Sequence, residues 1–185
     1  MPHTRFLALA LMLGAVPAFA SVVKAETFEQ MVQVTPVIVH ARVGQVQVVE
    51  DKEAGRIWTY AEVEVLESLK GKTAARFIVR QSGGDTGVKT TYVAGAPRFT
   101  PGEEAVLFLE PARDDPSMML VHALAAGKFG FETRYGQTRV VRHLDGLAFA
   151  SPGAKSVHKV ADIEDDGEPQ PFLEKLRQTI AGGTR

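Results

Sequence analysis

The chain of 185 residues contains no cysteine and a single tryptophan. The lack of cysteine excludes disulfides, thiolate metal sites and cysteine catalysis, so an apolar core, a metal or partners must hold the fold. Neither sign of charge is in excess, with 21 Lys and Arg against 22 Asp and Glu. Such a chain has no basic surplus to attract phosphates, and we expect no nucleic-acid partner.

Long apolar runs are equally scarce, and the clearest one lies near the start. Residues 6–16 are apolar, Arg5 precedes them, and Ala18-Phe19-Ala20 follows. This pattern predicts a signal peptide over residues 1–20, cleaved after Ala20, with Ala25 as a second possible cleavage position. An uncleaved anchor is the alternative, but a membrane span needs about 20 residues. We therefore expect an exported protein, periplasmic or extracellular, without stable membrane insertion after cleavage.

The rest of the chain is dominated by short strands between turns. We expect strands at residues 37–49, 57–66, 77–79, 104–109, 118–124, 128–133, 138–143 and 147–149. In the first strand the apolar positions change parity at Gly44, which is typical of a β-bulge. Several short strands at regular spacing indicate an all-β sandwich or barrel, here mainly antiparallel.

Two short helices are predicted at the ends of this β-rich region. Thr27 and Gln30 have the spacing of a capping box, which predicts a helix that ends at Pro36. Near the other terminus, apolar residues recur at helical spacing from about Pro171 to Ala181. We expect three domain-level segments: the signal peptide (1–20), a β-barrel (21–155), and an acidic linker with a terminal helix that packs on the barrel (156–185).

The joined pattern resembles a group of exported bacterial proteins. It includes VIVHARV from Val37, YAEVEVLESLKG from Tyr60, RQSGG from Arg80 and APRFTPGEEAVLFL from Ala96. These proteins look like small OB-type barrels, akin to netrin-like modules and the tissue inhibitors of metalloproteinases. The resemblance covers roughly residues 30–131. It implies an OB-like barrel with a binding role, and it carries over no catalytic residue.

The chain departs from the metalloproteinase inhibitors at its N-terminal end. Those inhibitors begin with a cysteine whose amine and carbonyl chelate the zinc of the protease, and disulfides hold that end in place. Here the expected mature chain begins at Ser21 or Glu26, and no cysteine is present. The resemblance therefore favours inhibitor-like binding without supporting that zinc-directed mechanism.

The segment RQSGGDTG at residues 80–87 contains Asp85-Thr86-Gly87, the triplet that carries the catalytic carboxylate of aspartic proteases. Flexible glycines precede this aspartate and the triplet occurs once, whereas such proteases need two rigid aspartates that share a proton. A phosphate-binding loop also fails, because Val88 separates Gly87 from Lys89. We interpret Gly83-Gly84 as the exit from the third strand and Asp85-Thr86-Gly87 as the start of a long connection.

No other motif predicts a metal or cofactor. The histidines lack metal-binding spacing, and His40 shares no parity with the neighbouring valines, so we expect it to face outward. The acidic run at 162–168 approximates a calcium loop at its first positions but not at its last, and we interpret it as a solvated loop. We expect no cofactor and no bound metal.

The candidate binding residues lie on the second and third strands and in the connection at 82–103. Trp58 and Tyr60 occupy the polar face of the second strand, which is the ligand face of many OB barrels. The alternative is that both cover a second small core. The full set of candidate binding residues is Trp58, Tyr60, Arg80, Asp85, Tyr92, Arg98 and Phe99.

These observations favour an exported, non-catalytic binding protein. The first expectation is a protein-interaction module, inhibitor-like toward a protease, with another exported protein as its partner. The first alternative is a hydrolytic enzyme with a site in the 82–103 connection, although no Gly-x-Ser-x-Gly motif is present. The second alternative is a barrel that binds a small ligand or an oligosaccharide.

Overall fold

The structure is a computed structural model that describes residues 20–183 apart from 152, 154 and 155. The expected signal peptide, except Ala20, lies outside the described residues. The strands are β1 Ser21–Lys24, β2 Val37–Asp51, β3 Arg56–Lys70, β4 Arg76–Ser82, β5 Gly84–Asp85, β6 Thr90–Thr91, β7 Glu104–Pro111, β8 Met118–Val121, β9 Lys128–Arg134, β10 Gln137–His143, β11 Leu147–Ala150, β12 Val157–His158 and β13 Ile163–Gly167. The helices are α1 Phe28–Val34 and α2 Pro169–Gly182, and a 3-10 turn covers Leu124–Gly127.

The described chain is mostly β, as the sequence predicts, and most strands join one sheet. That sheet has the order β13-β10-β9-β7-β2-β3-β4-β8, and β8 also pairs with β7. The pairings thus lead from β2 through β3, β4, β8 and β7 back to β2. All of them are antiparallel except the pairing of β4 with β8. A second, smaller sheet joins β1 in parallel to β11, which pairs with β12.

The predicted bulge in β2 is present at Gly44. Val43 pairs with Val63 and Val46 pairs with Ala61, so β2 carries one more residue than β3 between these pairs. Before the bulge, Val43 is buried; beyond it β2 pairs with β3 but no longer with β7, and it becomes more exposed. The extra residue bends β2, so that its first half packs in the core and its second half is more exposed to solvent.

The core divides into two layers on opposite faces of β2 and β7. Val39, Val63 and Leu107 belong to the layer between β2, β3, β4 and β7. Ile38 and Phe108, their alternate neighbours along the strands, face the layer covered by α1 and α2. Because successive side chains of a strand point to opposite faces, two adjacent apolar residues on each strand supply both layers.

Both predicted helices are present. Thr27 accepts from the Gln30 amide at 3.2 Å, and the Gln30 side chain accepts from the Thr27 amide at 2.9 Å, which completes the capping box of α1. Helix α2 begins two residues earlier than predicted, at Pro169, and buries Phe172, Leu173 and Leu176 against the sheet. Among the described residues, no helix combines the length and apolar character needed to cross a membrane.

Three local predictions are wrong. The acidic run was expected to be a solvated loop, but residues 163–167 form β13, because Arg139 and Arg142 on β10 pair with its carboxylates. The strand expected at 118–124 ends at Val121, and left-handed residues lead into the 3-10 turn. His40 was expected to face outward, but its side chain is only 16% exposed and its ring lies 5.0 Å from that of Phe131.

Candidate functional site

A surface pocket of about 740 Å³ lies where β3, β4, β7 and β8 come together. Its lining is mixed, with polar and charged side chains beside apolar ones. The residues that line it are Arg56, Trp58, Arg80, Gln81, Ser82, Val93, Ala96, Pro97, Glu110, Pro111, Arg113, Asp114, Leu120, Val121, Ala123 and Leu124. Its size lies within the range of pockets that bind small organic molecules, about 300–1,000 Å³.

The central charged group of this pocket is the guanidinium of Arg80. Its carbon lies 4.5 Å from the centroid of the Trp58 ring. One of its terminal nitrogens, Nη2, donates to the Asp114 carboxylate. The side chain is only 10% exposed, and Nε, shielded from solvent, has no hydrogen-bond partner. A nearly buried cation with an unsatisfied N–H is a group that gains from an anionic ligand.

The register of β3 and β4 explains why Trp58 and Arg80 meet. Tyr60 lies directly opposite Arg80, and Trp58 lies opposite Ser82, two positions along the same ladder. Residues diagonal to each other on one face of an antiparallel pair are within reach of long side chains. The cation–π contact therefore follows from strand pairing, and it holds the guanidinium plane over the indole.

The segment of residues 95–97 forms part of one wall of the pocket. Gly95 has φ +69°, and a Cβ there would lie 2.1 Å from a methyl carbon of Leu147. Its carbonyl accepts from the Ala125 amide at 2.9 Å, which fixes the connection against the 3-10 turn. Ala96 and Pro97 then line the pocket. A glycine is required here both by its backbone conformation and by the close approach.

Arginines outnumber carboxylates around this pocket. Arg56 and Arg113 are exposed at its rim, and Arg80 lies within it. Glu110 and Asp114 oppose them, so three cations face two anions and the lining keeps one net positive charge. The hydrogen bond from Arg80 holds the pKa of the Asp114 carboxyl below its usual value.

The structure places the seven candidate binding residues in several locations. Trp58 and Arg80 line the pocket together, and Tyr60 is half-buried beside them on β3 without lining it. Phe99 packs against the core layer between β2, β3, β4 and β7, and the Lys128 ammonium lies 5.5 Å from its ring centroid. Arg98 is exposed and pairs with Asp145 at 3.0 Å.

Asp85 and Tyr92 belong to the exposed part of the connection. The Asp85 carboxylate accepts from the Gly87 amide at 2.8 Å, and the Thr86 hydroxyl accepts from the Lys89 amide at 3.0 Å. Asp85-Thr86-Gly87 thus forms the turn between β5 and β6, and the aspartate shapes that turn. Tyr92 follows this small hairpin and is 68% exposed.

The sequence interpretation missed several charged residues near the pocket. Arg56 begins β3, and Arg113 and Asp114 lie in the turn between β7 and β8; none of them carries a motif, and only folding brings them to the same pocket as Arg80. The sequence also provided no sign that His122 would pair with carboxylates. Its Nε2 is hydrogen-bonded to Glu26 at 2.8 Å, while its Nδ1 lies 3.7 Å from Glu110.

The described residues contain no group of three or more His, Asp or Glu side chains placed to hold a metal ion. The pocket lining includes Ser82 but no histidine that would act as its base. Its chemistry is that of a stacked, nearly buried arginine in a pocket of mixed polar and apolar lining. Such an arrangement binds and orients an anionic group without supplying a nucleophile–base pair.

Comparison with known proteins adds no family assignment. No protein-family model matches this chain. No curated protein is significantly similar to it in sequence.

Proposed function

We propose that this protein is a non-catalytic binding protein that takes up a small organic anion in the Trp58–Arg80 pocket. The observation that carries the proposal is Arg80: the guanidinium is 10% exposed, is stacked on Trp58 at 4.5 Å and retains an N–H without a partner. A buried charge is costly unless it is paired, and Asp114 satisfies only part of its hydrogen-bonding capacity. A bound anion supplies the rest.

The proposed architecture is an OB-type barrel of netrin-like character. In support, the pairings return from β2 through β3, β4, β8 and β7 to β2, with β4 and β8 parallel. OB barrels bind ligands on the face of their second and third strands. In this chain those strands are β3 and β4, which supply Trp58 and Arg80.

The proposal also includes export, which rests on the N-terminal sequence pattern. The apolar run at 6–16 and the Ala18-Phe19-Ala20 sequence support secretion by a cleaved signal peptide. An exported binding protein meets its ligand outside the cytoplasm, in the periplasm or beyond it.

The tryptophan makes the proposal directly testable, because Trp58 is the only one in the chain. We would titrate the purified protein with 4-phenylbutanoate, phenyl phosphate and the neutral 4-phenylbutanamide while following tryptophan fluorescence. The two anions are expected to change Trp58 emission saturably at millimolar or lower concentration, and the amide is expected to bind at least about tenfold more weakly.

Two variants control this titration. Arg80→Lys keeps the charge but loses the planar fork and the stack, and we expect about tenfold weaker binding of both anions. Arg98→Lys is the matched control, because Arg98 pairs with Asp145 outside the pocket lining. Equal responses to the anions and the amide, or no response to any of them, would contradict the proposal.

A protein partner is the second candidate function. Its support is the exposed hairpin of β5 and β6, which presents Val88 at 97% and Tyr92 at 68% exposure. Exposed apolar groups at a loop tip are suited to contact with another protein. Pull-down from the native envelope with a Val88→Ser, Tyr92→Ser double variant tests this function, with Tyr135→Ser, on a different hairpin tip, as control. A protein retained by the wild type and the control but lost by the double variant would support it.

A further inference from the structure

The ion pair between Arg80 and Asp114 is incomplete. Asp114 Oδ1 accepts from Nη2 of Arg80, while the adjacent Nε has no hydrogen-bond partner. Nε and Nη2 form one edge of the guanidinium, and a carboxylate with two free oxygens bridges both N–H groups of such an edge. Asp114 therefore occupies half of a two-point binding edge.

Two other arginines of this protein use the same edge fully. Arg177 donates from Nε and Nη2 to the two oxygens of Glu67, at 3.0 and 2.6 Å. Arg142 donates from the same two nitrogens to Asp166, at 2.9 and 3.2 Å. The one-point contact at Arg80 thus differs from these pairs, although Arg80 is more deeply buried than Arg177 and has more to gain from a second bond.

Asp114 is able to leave without disrupting the turn that carries it. Its side chain is 66% exposed. The turn between β7 and β8 is closed by the Ala112 amide, which donates to Met118 at 2.9 Å. Asp115, not Asp114, accepts from the Ser117 amide at 3.0 Å. A rotation of the Asp114 side chain frees Arg80, and neither the Ala112–Met118 nor the Ser117–Asp115 hydrogen bond of the turn involves Asp114.

We propose that the ligand of this pocket is a monocarboxylate and that Asp114 competes with it for Arg80. The ligand displaces Asp114, and its two oxygens accept hydrogen bonds from Nε and Nη2 of Arg80. This inference rests on the proposed anion-binding function and names the chemical class of the ligand. Because Nε and Nη2 lie on one edge of the guanidinium, a ligand carboxylate that replaces Asp114 at Nη2 is also within reach of Nε.

The charge of the lining favours a singly charged ligand. Three arginines and two carboxylates leave one net positive charge around the pocket. A monocarboxylate neutralises that charge, whereas a phosphate dianion leaves an excess of negative charge beside Glu110. The hydrogen bond from Arg80 keeps the pKa of Asp114 low, so Asp114 is itself an anion at neutral pH and competes with the ligand.

The experiment compares three full-length proteins: wild type, Asp114→Ala and Asp145→Ala. Asp145 forms a matched aspartate–arginine pair with Arg98, at 3.0 Å and outside the pocket lining. Affinity for 4-phenylbutanoate and phenyl phosphate is measured by Trp58 fluorescence at pH 7. Removal of the competitor is expected to tighten 4-phenylbutanoate binding about two- to fivefold in Asp114→Ala, while Asp145→Ala matches the wild type.

Asp114→Asn is the second variant, because it keeps the shape of the side chain if the alanine variant fails to fold. Tightened carboxylate binding in either folded variant, together with a preference of the wild type for the carboxylate over the phosphate, supports the inference. Unchanged or weaker carboxylate binding in both variants, or a preference of the wild type for phenyl phosphate, overturns it while the anion-binding function stands. Absence of any anion response in the wild type and in every variant overturns the proposed function as well.

Discussion

The Nε2 atom of His122 lies 2.8 Å from a carboxylate oxygen of Glu26. This hydrogen bond joins the segment between β1 and α1 to the segment that follows β8. The Glu26 side chain is only 7% exposed. Burial opposes its ionisation, but hydrogen bonds from His122 and Lys24 outweigh burial and hold the pKa of Glu26 below its usual value.

The lowered pKa of Glu26 predicts a pH-dependent contribution to stability. A carboxyl whose pKa is lower in the folded state stabilises the fold above its unfolded pKa of about 4.3, and this contribution is lost as pH falls through the folded pKa. At pH 7, Glu26→Gln is expected to lower the free energy of unfolding by about 1–2 kcal/mol. The deficit should shrink toward zero below about pH 4. Urea denaturation at several pH values measures it, with exposed Glu53→Gln as control. A deficit independent of pH would contradict this account.

Gly84 and Gly87, which follow β4, are expected to differ in how well they tolerate substitution by alanine. Gly84 has φ +136°, and a Cβ there would lie 2.5 Å from the Thr59 hydroxyl oxygen and 2.7 Å from a Val48 methyl carbon. Gly87 has φ +81° with nothing within 4 Å of its Cβ position. Gly84→Ala is expected to cost about 2–4 kcal/mol and Gly87→Ala about 1 kcal/mol. Thermal unfolding of both variants compares them, and equal losses would show that the close approach is unimportant.

Leu176 anchors the terminal helix and is fully buried beside Phe172. Truncation to alanine leaves a cavity between α2 and the sheet, so Leu176→Ala is expected to lower the free energy of unfolding by about 2–4 kcal/mol. Exposed Gln178→Ala on the same helix should change it by less than about 0.5 kcal/mol. Chemical denaturation measures both. If the two variants are equally stable, α2 does not contribute to the cooperative core.

The pairing of β1 bears on the cleavage position of the proposed signal peptide. Residues 21–24 form a parallel ladder with residues 147–150, and the Ala25 amide donates to Ala150 at 2.8 Å. Cleavage after Ala25 would remove this strand, whereas cleavage after Ala20 would retain it. We therefore predict a mature protein that begins at Ser21. Mass spectrometry of the intact exported protein tests this, and a chain beginning at Glu26 would show that β1 is dispensable.

Much of the local structure can be predicted from the sequence because it depends on residues that are close along the chain. The Thr27–Gln30 capping box and the bulge at the Gly44 parity change are each present as predicted. Each is set by residues a few positions apart, so the pattern alone is sufficient. The run at 163–167 is different. Its acidic composition indicates a loop, yet it forms a strand because Arg139 and Arg142, more than twenty positions away, neutralise it.

In the proposed binding site, too, some features follow from local sequence and others only from tertiary packing. The sequence determined that Trp58 and Arg80 lie on neighbouring strands, because alternation and turn positions define β3 and β4. Tertiary structure alone decided that Asp114 pairs with Arg80, that Arg113 and Pro97 line the same pocket, and that one N–H of Arg80 is left without a partner. Strand identity follows from local periodicity, whereas a pocket follows from how distant turns pack. Only the folded chain can set the contact between an arginine and the carboxylate that half satisfies it.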